Sequence, residues 1–240
     1  MQLTRDAAWR LLTEWTVGDG LRKHALAVEA AVCGYARQAG ANEEEWGVVA
    51  LLHDFDYERY PTLGDHPVKG CEHLRSLGYP EWVMRAIQSH AWEFTGIQPE
   101  SPMERALVAC DEMAGFVTAA SLVRPSKSVL DLEAPSVIKR MKDKAFARAV
   151  PREHLTRGAE LMGLPLDQHV ANVIAFMRER ADVLARFEVD PTVAAGHARE
   201  AEGRHQRLIA GLDSGLVCDF LSQDLPCDRK SHTSPESRPA

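Results

Sequence analysis

Residues 42–67, NEEEWGVVALLHDFDYERYPTLGDHP, decide how this chain is read. Asn42 with Glu45 three positions later has the form of a capping box, which predicts a helix starting at residue 43. Trp46 to Leu52 is almost wholly apolar, so that helix is expected to bury its surface. It then runs into His53 and Asp54 side by side. Neighbours on a regular helix diverge by about 100°, so the two could not comfortably reach one small ion from an interior turn. Pro61 and Gly64 break the pattern just downstream. The pair therefore belongs to a helix end, where the geometry relaxes, and His66 follows thirteen positions after His53.

Outward from this stretch, apolar residues recur at three- and four-residue spacing, and period-two alternation is rare. The chain reads as all-α, with helices expected over 4–16, 20–39, 43–54, 66–77, 80–92, 101–122, 135–148, 151–162, 167–187 and 191–212. Pro80, Pro102 and Pro151 sit where a first-turn proline sacrifices no hydrogen bond. Gly40, Gly78 and Gly163 supply stops. Residues 1–188 are expected to form the bundle, 189–212 a helical extension, and 213–240 a disordered tail, polar and too poor in apolar surface to offset its ordering entropy.

The 240 residues, 45% of them hydrophobic, suffice for a substantial core. There is no run of about 18 apolar residues and no secretory leader pattern at MQLTRDAAWR, so the expected location is the cytoplasm, away from membranes. Cys33, Cys71, Cys110, Cys218 and Cys227 contain no C-x-x-C pair, which argues against a thiolate zinc site and for reduced thiols. The net charge of -7 argues against general nucleic-acid affinity. Residues 122–157 run the other way, with nine basic side chains against four acidic ones. That stretch reads either as a solvated helix surface or as a funnel for an anionic substrate, in which Lys127, Lys139 and Lys142 would contact phosphate. Arg124 would add a bidentate contact, its planar donor fork matching phosphate oxygens.

Histidines and aspartates fall in apolar surroundings at several distant points. His24 lies in LRKHALAVEAAV, His53 and Asp54 follow VVALL, His90 follows VMRAIQS, and Asp111 follows ERALVAC. A buried carboxylate costs several kcal/mol unless it is paired or bound to a cation. A divalent metal accounts for these groups together.

His24, the adjacent His53-Asp54 and the distant Asp111 resemble the H…HD…D pattern of the HD-domain superfamily of metal-dependent phosphohydrolases, over roughly residues 20–120. HALAVEAAV, LLHDFD, DHPVKG, AIQSHA and ACDEMAGFV also resemble its HDIG subgroup. The resemblance implies a helical bundle in which His24, His53, Asp54 and Asp111 are metal ligands. Some members add two histidines between the HD pair and the last Asp. His66 and His90 occupy that interval, one at the start of a helix and the other at the end of the next. This implies a second metal, with Asp54 bridging. Imidazole and carboxylate without thiolate suit Mn, Fe, Co, Zn or Mg without choosing among them.

The implied activity is hydrolysis of a small phosphorylated substrate, with His53 and Asp54 at the reacting centre. A di-iron oxygenase using the same six ligands and a non-catalytic metal-dependent binding module remain as alternatives. The pattern also departs from its relatives. Phe55 and Asp56 stand where the HDIG name implies Ile-Gly, and the Lys that often follows is missing, which weakens the analogy with lysine-using oxygenases. Gly78-Tyr79-Pro80 spells GYP without the other marks of the cyclic-dinucleotide enzymes and reads as a helix stop and restart. Trp15, Trp46, Trp82 and Trp92 are expected on core faces. His154, His169, His197, His205 and His232 read as surface residues, and Asp56 and Glu58 as solvated loop carboxylates.

Overall fold

The computed structural model describes residues 3–186 except Leu63 and Ala149. The expected helix 191–212, the expected tail, and His197, His205, His232, Cys218 and Cys227 all lie outside the described residues. Within them the fold is all-α. Arg5–Trp15 (α1), Asp19–Gln38 (α2), Glu43–Leu52 (α3), Val68–Ser76 (α4), Glu81–His90 (α5) and Trp92–Thr95 (α6) come first. Pro102–Leu122 (α7), Ala134–Met141 (α8), Arg152–Leu161 (α9), Leu166–Arg178 (α10) and Ala181–Leu184 (α11) follow. No described helix is long and apolar enough to cross a membrane.

Two long helices organise the rest. α2 and α7 pack on one another, with α3 and α10 also against α2, and α5 and α9 against α7. The alanine-rich sequence of α2 is buried almost all round, and α3 is buried from Trp46 to Leu52, as its apolar run requires. Small residues let the helices approach. A Cβ at Gly34 would lie 2.1 Å from the Phe176 ring of α10, and one at Gly158 would lie 3.0 Å from the Ala109 backbone of α7.

Helix ends follow the expected signals with some differences. Asn42 Oδ1 accepts the amides of Glu44 and Glu45, giving the N-cap, while the reciprocal capping box occurs at Ser101 and Glu104. Gly78 has φ of +80°, Tyr79 is buried and Pro80 caps α5, so the GYP tripeptide is a stop and restart. The expected helix over 135–148 ends at Met141. Beyond it the carbonyls of Met141, Asp143, Phe146, Ala147 and Val150 accept from the Arg152 guanidinium, which also stacks on Phe116 at 4.7 Å. One side chain thus organises a loop that its local periodicity reads as helix.

Candidate metal centre

The end of α3 does what its sequence demands. His53 is its C-cap, and the chain then winds through a tight turn, with the amides of Phe55, Tyr57 and Arg59 bonding three residues back. Phe55 anchors that turn in the core, 5.0 Å from Trp15. His24 comes from the first turns of α2 and Asp111 from the middle of α7. His66 precedes α4 and His90 ends α5, so the antiparallel pair α4 and α5 presents both at one end.

These residues converge in two groups that share Asp54. His24, His53, Asp54 and Asp111 form one, and Asp54, His66 and His90 form the other, with donor atoms within 4.8 Å of one another in each. Asp54 Oδ1 lies 3.2 Å from His66 Nε2 and 3.3 Å from His90 Nε2. Those two nitrogens are 3.3 Å apart, which closes a nearly equilateral triangle. Three donors at about 2.1 Å around one ion have edges of about 3.0–3.4 Å. The Asp54 Oδ2 atom faces the other group, 3.4 Å from His53 Nε2 and 3.8 Å from His24 Nε2. Asp111 Oδ1 completes that group at 3.0 Å from His24 and 3.4 Å from His53.

The far side of the rings fixes which nitrogen faces inward. His53 Nδ1–H donates to the Ala50 carbonyl at 2.7 Å, and His90 Nδ1–H donates to the Ile87 carbonyl at 2.5 Å. His66 Nδ1–H donates to Asp56 at 2.7 Å. Three neutral rings would therefore aim Nε2 lone pairs into the cluster, and two such pairs facing each other repel unless a proton or a cation lies between them. The residues fit a divalent metal on both donor type and spacing, and the buried His and Asp groups could hold one.

Electrostatics agree. Burial alone would lower the pKa of His53, but the Asp54 and Asp111 carboxylates outweigh it and hold it well above the usual value. Burial likewise opposes protonation of His66, yet Asp54 and Asp56 raise its pKa to about 9. Asp54 and Asp111 are driven below the ordinary carboxylate range, their own desolvation overcome by the imidazoles. The cluster thus favours positive charge beside two carboxylates.

Other candidates fall elsewhere. Arg124 follows Asp111 by thirteen residues, about 20 Å along a helix axis, and its guanidinium pairs with Asp131 at 2.8 Å. Lys127 is exposed in the next turn, while Lys139 and Lys142 are exposed at the end of α8, which packs chiefly on α10 and less on α7. None of the four has a hydrogen bond or ion pair to the six clustered residues. Neighbouring cations of the basic stretch have structural partners, Arg140 over Phe146 and Arg157 over Trp92.

Several surface expectations are corrected. His169 is fully buried, accepting from Tyr35 Oη at 2.7 Å and donating to the Ala109 carbonyl at 3.0 Å, and burial lowers its pKa. His154 is half-buried between Glu112 and Glu93, at 3.8 and 3.6 Å, and Glu112 chiefly raises its pKa. Asp56 is fully buried. Its neighbours Phe55 and Tyr57, both buried, were the one available signal, since aromatic residues on either side of it favour a turn packed inward. Glu58 is exposed as expected, and it accepts the amides of Val17 and Gly18 where α2 begins. Trp15 and Trp46 are core residues, whereas Trp82 is 37% exposed.

Fold and site together define an all-α protein with a His/Asp cluster suited to metal. No family model, curated protein or solved structure matches the chain.

Proposed function

We propose that the chain is a metal-dependent hydrolase of a phosphate ester with a binuclear centre of the HD-domain kind. His24, His53 and Asp111 would hold one ion, His66 and His90 the other, and Asp54 would bridge them. The observation that carries this reading is the split of Asp54, whose two oxygens each face a separate group of imidazoles. Ions so placed would bring the pKa of water from about 15.7 toward 7 and polarise phosphoryl oxygens, a paired arrangement suited to in-line displacement.

The chain's own residues divide the remaining work. His53 and His66, 0% and 1% exposed, close the inner wall against water. His24, Asp54 and Asp111, each 16–20% exposed, leave a polar edge that solvent and a small anionic substrate can reach. The helix-end turn holds Asp54 between the two groups, and the carbonyls of Ala50 and Ile87 fix the rings of His53 and His90.

The test is metal analysis of protein purified without chelator, then a phosphate-release screen with mono- and diesters on the same preparation, alongside oxygen uptake. Two equivalents of metal with phosphate release support the reading. Oxygen consumption by an iron-loaded protein without phosphate release would favour the oxygenase alternative. Bound metal with neither activity would favour a binding module.

A further inference from the structure

His66 differs from the other anchored histidines in what holds its outer nitrogen. His53 and His90 donate to carbonyls three residues back, bonds that a histidine ending a helix makes locally. His66 instead donates to a carboxylate ten residues away in sequence. Asp56 has no exposed surface, and its second oxygen accepts the Gly70 amide at 2.8 Å. Gly70 is the third residue of α4, whose N-cap Pro67 offers no side-chain acceptor. Asp56 therefore satisfies one of the first-turn amides that a helix leaves unpaired, at the end where the dipole favours negative charge.

The space for this contact is specific. A Cβ at position 70 would lie 2.6 Å from both Cγ and Oδ2 of Asp56 and 2.9 Å from its Cβ. Only glycine lets the carboxylate reach the helix end while it holds the ring. Tyr57 packs against the same imidazole edge-on, centroids 5.2 Å apart, so His66 is fixed from two sides by the turn that also carries Asp54.

We propose that Asp56 is a positioning residue for the second ion, setting the occupancy of the Asp54, His66 and His90 position while leaving the position built on His24, His53 and Asp111 intact. This rests on the two-ion reading. The position offers only three protein donors, so a ring free to rotate or to change tautomer removes a third of them. Partners of this kind typically change metal affinity 10–100-fold.

The experiment titrates metal-free protein with Mn(II), counting free ion by electron paramagnetic resonance and following the spin-coupled signal of a pair. Wild-type protein takes up two ions and develops the coupled signal. In Asp56→Ala the first ion binds as before, the second binds 10–100-fold more weakly, and the spectrum is that of a lone ion at stoichiometric metal. Gly70→Ala, whose methyl displaces the carboxylate, behaves the same way. Asp56→Asn, nearly isosteric and able to accept from His66 but not simultaneously from Gly70 without rearrangement, falls between and guards against a folding defect in the alanine variants. Folded Asp56→Ala and Asp56→Asn proteins that bind two ions with wild-type affinity overturn the inference, as does loss of both ions with helicity unchanged. Wild-type protein that takes up a single ion overturns the two-ion reading, and this inference with it, before any variant is compared.

Discussion

The two halves of the centre are built differently. The half made by His24, His53 and Asp111 draws on α2, the end of α3 and α7, elements of the core itself, and its donor separations spread from 3.0 to 3.8 Å around a partly open edge. The half made by His66 and His90 sits at one end of α4 and α5, and its triangle is regular and almost closed to solvent. The first half is positioned mainly by the packing of α2, α3 and α7, with one local device, the Ala50 carbonyl behind His53. The second depends on local devices, a carbonyl behind His90 and a buried carboxylate behind His66. Loss of tertiary packing should therefore damage the first, and loss of single polar partners the second.

The most damaging substitution should be the one that both halves share. Asp54→Ala is expected to abolish stoichiometric binding at both positions and to reduce phosphate release by more than the 10–100-fold typical of an outer-shell partner, with far-UV circular dichroism unchanged. Full metal content in that variant would remove the basis for a bridging role. Smaller effects should separate the halves. His24→Ala and His66→Ala are each expected to lower the metal count by about one per chain, measured by elemental analysis after gel filtration, and the double variant should bind none.

Acid–base behaviour sharpens the same comparison. His66 keeps its proton up to about pH 9 in the metal-free cluster, so metal must displace it at neutral pH. Binding should release protons at pH 7 and tighten as pH rises toward 9, which calorimetry in buffers of different ionisation enthalpy would reveal. The linkage has a defined sign. A histidine whose folded pKa is raised contributes stability that is fully present below its ordinary value of about 6.5 and lost as pH rises through about 9. Metal-free protein should therefore lose stability across that window, and its midpoint of thermal unfolding should fall. Proton uptake on metal binding, or stability rising over this window, would contradict the assignment.

The smallest effects are expected far from the centre. Replacing Arg124, Lys127, Lys139 or Lys142 with Met should leave kcat/KM within about twofold and its salt dependence unchanged, because Arg124 already pairs with Asp131 and the lysines lie exposed along the stretch from the end of α7 to the end of α8. A selective rise in KM in any of the four, lost at high salt, would restore the funnel.

The sequence carried the helical class and four of the clustered residues, because His24, the His53-Asp54 pair and Asp111 each fall in apolar helical surroundings. His90 stood out by its apolar surroundings, but its pairing with His66 was legible only through the resemblance, since their proximity depends on how α4 and α5 fold back on each other. Asp56 escaped because its burial is a property of the turn, set by Phe55 and Tyr57 packing inward. The partners of the basic stretch were not legible for a related reason. Composition counts charges without their partners, and four of the five carbonyls around Arg152, those of Met141, Asp143, Phe146 and Ala147, come from residues that the periodicity had assigned to a continuous helix.

The most direct test is anomalous diffraction from crystals grown with Mn(II) and no chelator. The account predicts two peaks about 3.5–4 Å apart, the spacing of two-metal sites, with Asp54 between them, His24, His53 and Asp111 on one, and His66 and His90 on the other. A single peak, or metal bound with Asp54 turned away, would contradict it.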